Sequence, residues 1–170
     1  MRFLPAVVVP ALLFAHGLAA AFEVKVLDPA FKVTVPALPD ISLRQTTSAS
    51  EPSLRMAGDN GTYKIAVIVT TAQKRVSPRE CAGSSLRSIL SRPGMPDRDN
   101  VYRAPLSAST FLVLYVIADG GQHMLHAHLL SAAANMHCTE VHFSRLERPG
   151  EDEDDWRNTF SGARIEEATR

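Results

Sequence analysis

The sequence predicts an α+β protein, an antiparallel β-sheet flanked by two helices, folded as one domain behind an export signal. Three observations predict it. Apolar and polar residues alternate in Phe22-Glu23-Val24-Lys25-Val26 and in Phe31-Lys32-Val33-Thr34-Val35, the period of half-buried strands. The period changes at Ser77-Pro78-Arg79-Glu80, which joins an N-cap serine, proline at the first helical position and glutamate three residues after the cap. Three consecutive strand-like segments between Phe111 and Ser144 then form a meander.

Met1 to Ala21 carries one positive charge, Arg2, an apolar run from Phe3 to Ala15 and the small residues Ala19-Ala20-Ala21. This is the order of a secretory signal peptide with an A-x-A cleavage site. Pro5, Pro10, His16 and Gly17 break the run, which falls short of the ~20 apolar residues a spanning helix needs. No cysteine follows the small residues, so nothing there would accept a lipoprotein acyl chain. The expected product is a single domain, residues 22–170, periplasmic or secreted, with no membrane span once the signal is removed.

Within that domain, Asp28-Pro29 marks the turn between the first two strands. Ile41 to Thr47 and Ser53 to Ala57 read as weaker strands around the loop-like Ser48-Ala49-Ser50-Glu51-Pro52. Asp59-Asn60-Gly61 reads as a type I′ hairpin turn, leading into Thr62 to Thr71, whose Ile65-Ala66-Val67-Ile68-Val69 is apolar on both faces. The sequon Asn60-Gly61-Thr62 is more simply this turn. The helix after Ser77 presents Cys81, Leu86, Ile89 and Leu90 on one face and stops at Arg92-Pro93-Gly94. The meander runs Phe111 to Ala118, His123 to Leu130 and Met136 to Ser144, turning at Asp119-Gly120-Gly121 and Ala132-Ala133-Ala134-Asn135. Glu151 to Asp155 then place acids at the start of a helix whose Trp156, Phe160 and Ala163 fall on one face, and Gly162 can end it early.

Cys81 and Cys138 are the only cysteines of the chain. An even count in an exported protein predicts a disulfide, worth roughly 4 kcal/mol on the loop-closure argument. The competing reading makes Cys81, in the first turn of its helix, a thiolate nucleophile.

Lys and Arg number 18 and Asp and Glu 18. A chain without net charge lacks the electrostatic footprint of a nucleic-acid binder. No phosphate loop or nucleophile elbow is present, so no catalytic or cofactor-binding residue is assigned and no cofactor is expected. Five of six histidines, His123, His126, His128, His137 and His142, crowd into the meander. His126 and His128 share a strand face, and an antiparallel neighbour can bring His137 or His142 opposite them. Those four are the weak candidates for a zinc or copper site, with Met124 or Met136 as a soft ligand. The same histidines equally suit polar positions on half-exposed strands.

Phe31 to Val35 leading into Pro36, the strand Ile65 to Val69 before Ser77-Pro78, the meander Phe111 to Ser144, and Trp156 with Phe160 together resemble the PsbP-like family of small exported α/β/α domains. The resemblance implies an antiparallel sheet flanked by helices and a non-catalytic, interaction-type role. It carries over no site residue, and the Cys81/Cys138 pair is not a mark of that family. The function expected is that of a binding protein of the envelope or the exterior, such as an envelope assembly component or a toxin-neutralising, immunity-type protein, with another envelope or secreted protein as partner. The alternatives are a periplasmic hydrolase using Cys81 or the His123–His142 cluster, and a periplasmic metal carrier.

Overall fold

The computed structural model describes residues 21–27, 30–46, 53–72, 75–132 and 137–168. Most of the expected signal peptide, the Asp28-Pro29 turn, the 48–52 loop and the 133–136 turn lie outside the described residues.

Among the described residues ten strands form two antiparallel sheets. The smaller contains β1 (Phe22–Leu27), β2 (Ala30–Val35) and β10 (Arg164–Glu167), in the order β1-β2-β10. The larger contains β3 (Arg44–Gln45), β4 (Leu54–Asp59), β5 (Lys64–Thr71), β6 (Tyr102–Pro105), β7 (Phe111–Asp119), β8 (Gln122–Ser131) and β9 (His137–Leu146), in the order β3-β4-β5-β9-β8-β7-β6. The helices are α1 (Pro78–Leu90) and α2 (Glu153–Phe160).

The β1–β2 hairpin shows how alternation becomes a layer. Phe22, Val24, Val26, Phe31, Val33 and Val35 are buried, while Glu23 and Lys25 stay exposed. Lys32 pairs with Glu23 at 2.7 Å on the wet face. The inward set packs with Leu112, Leu114, Leu125, Ala127, Leu129, Val141 and Phe143 of the large sheet and with Trp156 and Phe160 of α2. Phe143 meets Phe22 edge-on at 5.6 Å and Phe160 at 5.2 Å. Each such aromatic side chain contributes about 1.5–3 kcal/mol by leaving water.

Successive residues of a strand point to opposite faces, so the large sheet has a second face. There Val113, Tyr115 and Leu130 pack against Ala82, Leu86 and Ile89 of α1. The two helices therefore lie on opposite faces of the large sheet, and α2 shares its side with the small sheet.

The structure corrects four expectations. There are two sheets, because β10 pairs with β2, Arg164 opposite Thr34, and the small sheet stands apart. Ile41 to Thr47 contributes only the two-residue β3. The β4–β5 loop spans Asn60 to Tyr63, longer than a two-residue type I′ turn: Asn60 Oδ1 accepts the N–H groups of Thr62 and Tyr63, and Gly61 holds the positive φ of 82°. Helix α2 ends at Phe160, so Ala163 is buried beyond it, on the approach to β10.

Candidate functional site

Helix α1 forms as its sequence dictates. Ser77 Oγ accepts the Glu80 N–H at 3.2 Å, and Glu80 Oε2 accepts the Ser77 N–H at 2.7 Å, a complete capping box. Cys81 in its first turn is bonded to Cys138 of β9, with Cα atoms 5.5 Å apart, within the disulfide range. The expected bridge is present and pins the helix to the sheet. Cys81 as a nucleophile is thereby overturned, since a disulfide sulfur has no thiolate to offer.

Beneath and beside α1 the sheet face is polar. The β7–β8–β9 register sets Tyr115 opposite His126 and His128 opposite His142. The four rings stand nearly parallel in a closed square: Tyr115–His126 5.0 Å, His126–His142 5.2 Å, His142–His128 4.3 Å and His128–Tyr115 5.4 Å between centroids. Tyr115 Oη lies 2.9 Å from His128 Nε2, and His128 Nδ1 lies 2.8 Å from Glu140 Oε1. Ser85 of α1 donates to the other Glu140 oxygen at 2.6 Å. His126 Nδ1 and His142 Nε2 are 2.9 Å apart.

Burial and the hydrogen bonds of the cluster together decide the charge states. Burial pushes His126 down to about 4 and His142 down to about 3, and the neighbouring imidazoles push the same way. For Glu140 burial pushes up, but the hydrogen bonds from His128 and Ser85 and the attraction of His128 outweigh it, bringing the carboxyl to about 2. Burial and then the Glu140 charge raise Tyr115 well above the ordinary phenol range. At neutral pH, His126 and His142 are neutral, Tyr115 is protonated and Glu140 is ionised.

Tyr115, His128 and Glu140 reproduce the order hydroxyl, base, orienting carboxylate of a nucleophilic relay. The Tyr115 phenol is buried and held protonated, so attack by it would require His128 to take its proton. What the square offers a visitor is hydrogen bonding from His126 and His142. They form the floor of a groove of about 890 Å³, with Ser84, Ser88 and Arg92 along the α1 wall and Leu54 opposite.

The remaining histidines are elsewhere. His137 lies at the far end of β9 beside Thr71, its Nδ1 3.4 Å from the threonine hydroxyl, and His123 pairs with Glu147 at 2.6 Å. Of the four metal candidates, His126, His128 and His142 meet and His137 does not. The facing nitrogens of His126 and His142 engage each other, and both nitrogens of His128 are taken. Among the described residues no group of three or more His, Cys, Asp or Glu side chains could hold a metal ion. Met124 lies across from Leu146 and Met136 lies outside the described residues. Sequence reasoning passed over Tyr115, Glu140 and Ser85; only the i+2 spacing of Glu140 from His142 hinted at a shared face.

The fold and the site define an α+β protein with a disulfide-fastened helix laid over a hydrogen-bonded aromatic and imidazole cluster. No protein-family model matches the chain, and no curated protein does. A solved structure from Bacteroides thetaiotaomicron VPI-5482, a crystal structure at 1.50 Å resolution, aligns with 8% identity and a TM-score of 0.48 over 82% of this chain. This chain spans 45% of the length of that structure, and the likeness is too distant to assign a family or an activity. Among the described residues no helix is long and apolar enough to cross a membrane.

Proposed function

We propose that this chain is a non-catalytic binding protein of the periplasm or the exterior, of the envelope-assembly or toxin-neutralising kind, and that the groove beside α1 takes its partner. This is also the role that the PsbP-like resemblance implies. The observation that carries the proposal is the hydrogen-bonded, disulfide-fastened floor of the groove. Cys81 is bonded to Cys138, the Tyr115 hydroxyl is held protonated, and His126 and His142 are neutral and hydrogen-bonded to each other. Such a floor recognises by hydrogen bonding and shape, and the disulfide leaves it no cysteine thiolate.

The test places a photo-crosslinking amino acid at Ser84, on the exposed rim, or at Lys25 on the outer face of the small sheet, in cells producing the full chain. A discrete adduct from position 84 and none from position 25 supports the reading. No adduct from position 84, or ester or amide hydrolysis by the purified protein that His126→Ala abolishes, overturns it.

A further inference from the structure

The opposite flank of α1 carries a second groove, of about 740 Å³. Its floor is apolar: Ala82, Leu86 and Leu90 from the helix, Phe111 and Val113 from β7. Its rim is cationic, with Arg79 and Arg87 on α1, Arg98 in the 3-10 turn Arg98–Asn100, and Arg103 on β6. Among the described residues no acidic side chain lines it.

Folding does not account for this rim. Among the described residues none of the four rim arginines forms an ion pair, as is also true of Arg44, Arg75, Arg92 and Arg148 but not of Arg145, Arg157 and Arg164; what distinguishes the rim is that four such cations line one groove. All four are exposed. Like charges gathered together repel, in a chain whose cations and anions balance overall. Arg87 has a local reason, since a cation in the last turn of a helix is favoured. Arg79 has the reverse: in the first turn it faces the positive end of the helix dipole, which disfavours a cation.

Gly83 adds an independent observation. It lies mid-helix between Arg79 and Arg87 at i+4 spacing, where glycine is less favourable than alanine. A Cβ there would meet nothing closer than Arg87 Nη1 at 3.8 Å, so packing does not demand glycine. Its effect is a side-chain-free stretch of helix between Arg79 and Arg87, whose backbones are roughly 12 Å apart along the axis, with the Arg87 guanidinium reaching back to 3.8 Å from it.

We propose that this groove is a second binding site, for a dissolved organic anion with an apolar body and one or more sulfonate, carboxylate or phosphate groups. The apolar floor takes the body. The guanidinium forks match such oxyanions in two-point hydrogen bonding. The volume is that of a small-molecule site. A membrane surface is the poorer occupant, because none of the exposed large apolar side chains, Leu27, Val116 and Leu146, lines the groove to insert into lipid.

The test titrates the full chain with 8-anilinonaphthalene-1-sulfonate and with its uncharged parent, N-phenyl-1-naphthylamine. One site for the sulfonate is expected, with the parent at least tenfold weaker. Arg87→Gln/Arg103→Gln lowers the sulfonate affinity at least tenfold. Gly83→Leu, which fills the strip and keeps every charge, does the same with an unchanged circular dichroism spectrum. Lys25→Gln/Arg164→Gln removes two positive charges from the small sheet and leaves binding unaltered. Equal affinity for the parent, equal loss in the Lys25/Arg164 variant, or full binding by Gly83→Leu overturns the proposal. So does binding to phosphatidylglycerol vesicles without binding of the dissolved sulfonate.

Discussion

His126 Nδ1 faces His142 Nε2 across 2.9 Å, a gap that holds one proton, so one ring donates and the other accepts, and burial keeps both neutral at pH 7. Protonating both rings would set donor against donor inside a site that burial already makes unfavourable for charge.

Acid should therefore destabilise the protein well above the carboxylate range. In the unfolded chain both histidines take up protons near 6.5, whereas in the folded chain they do so only at about 4 and about 3. Between those limits the unfolded state binds more protons, so stability falls as pH falls from about 6.5 and levels off below the folded values. The slope reaches at most about 1.4 kcal/mol per pH unit for each histidine, the half-exposed His126 giving the smaller share. Glu140 acts in the same direction lower down: its contribution is present above 4.5 and lost toward about 2. Urea unfolding between pH 7.5 and 4 should show the decline in the wild type and a flatter profile in His126→Phe/His142→Phe. Identical profiles would contradict this account.

Cys138→Ser should lower stability by roughly 2–5 kcal/mol with the architecture retained, because the bridge closes a loop of 57 residues in the unfolded chain. Reductant should lower the wild-type melting temperature and leave that of the variant where it is. An equal response of the two to reductant would mean that the bridge contributes nothing.

Arg145 should prove the weak point of the α2 side. Its guanidinium is buried, pairs with Glu151, donates to the Leu146 carbonyl at 2.8 Å and lies 4.5 Å from the Trp156 ring. Glu151→Gln leaves that charge without its counter-ion and should cost about 3 kcal/mol, the low end for a broken buried pair because the carbonyl and the ring remain. Trp156 is the sole tryptophan of the chain, so its emission reports whether α2 stays docked. A loss under 1 kcal/mol would show that the ring and carbonyl suffice.

Export should leave an N-terminus at or within two residues of Phe22. Phe22 is fully buried and its nitrogen donates to the Leu38 carbonyl at 2.8 Å, so β1 is anchored from its first residue. Mass spectrometry of material from the periplasm or medium reads this directly. An intact Met1 would remove the exported-protein premise from the proposed function.

What the amino-acid order determined by itself was local or paired by count. The Ser77/Glu80 capping box, the β1–β2 alternation and the β7–β8–β9 meander each depend on neighbours within a few residues, and two cysteines allow one internal bond. Arg164-Ile165-Glu166-Glu167 has one apolar residue and no strand signal; it becomes β10 only because β2 presents an open edge. The imidazole square was likewise beyond reach from spacing. A one-residue slip in the β8–β9 register would turn His142 to the other face, and that register is held by Val141 and Phe143 packing against a sheet built from the other end of the chain. Side-chain periodicity tells which residues share a strand face. Which strand lies opposite, and at what register, is decided by long-range burial, and that decision placed His142 beside His126 and His128 and left His137 at the rim.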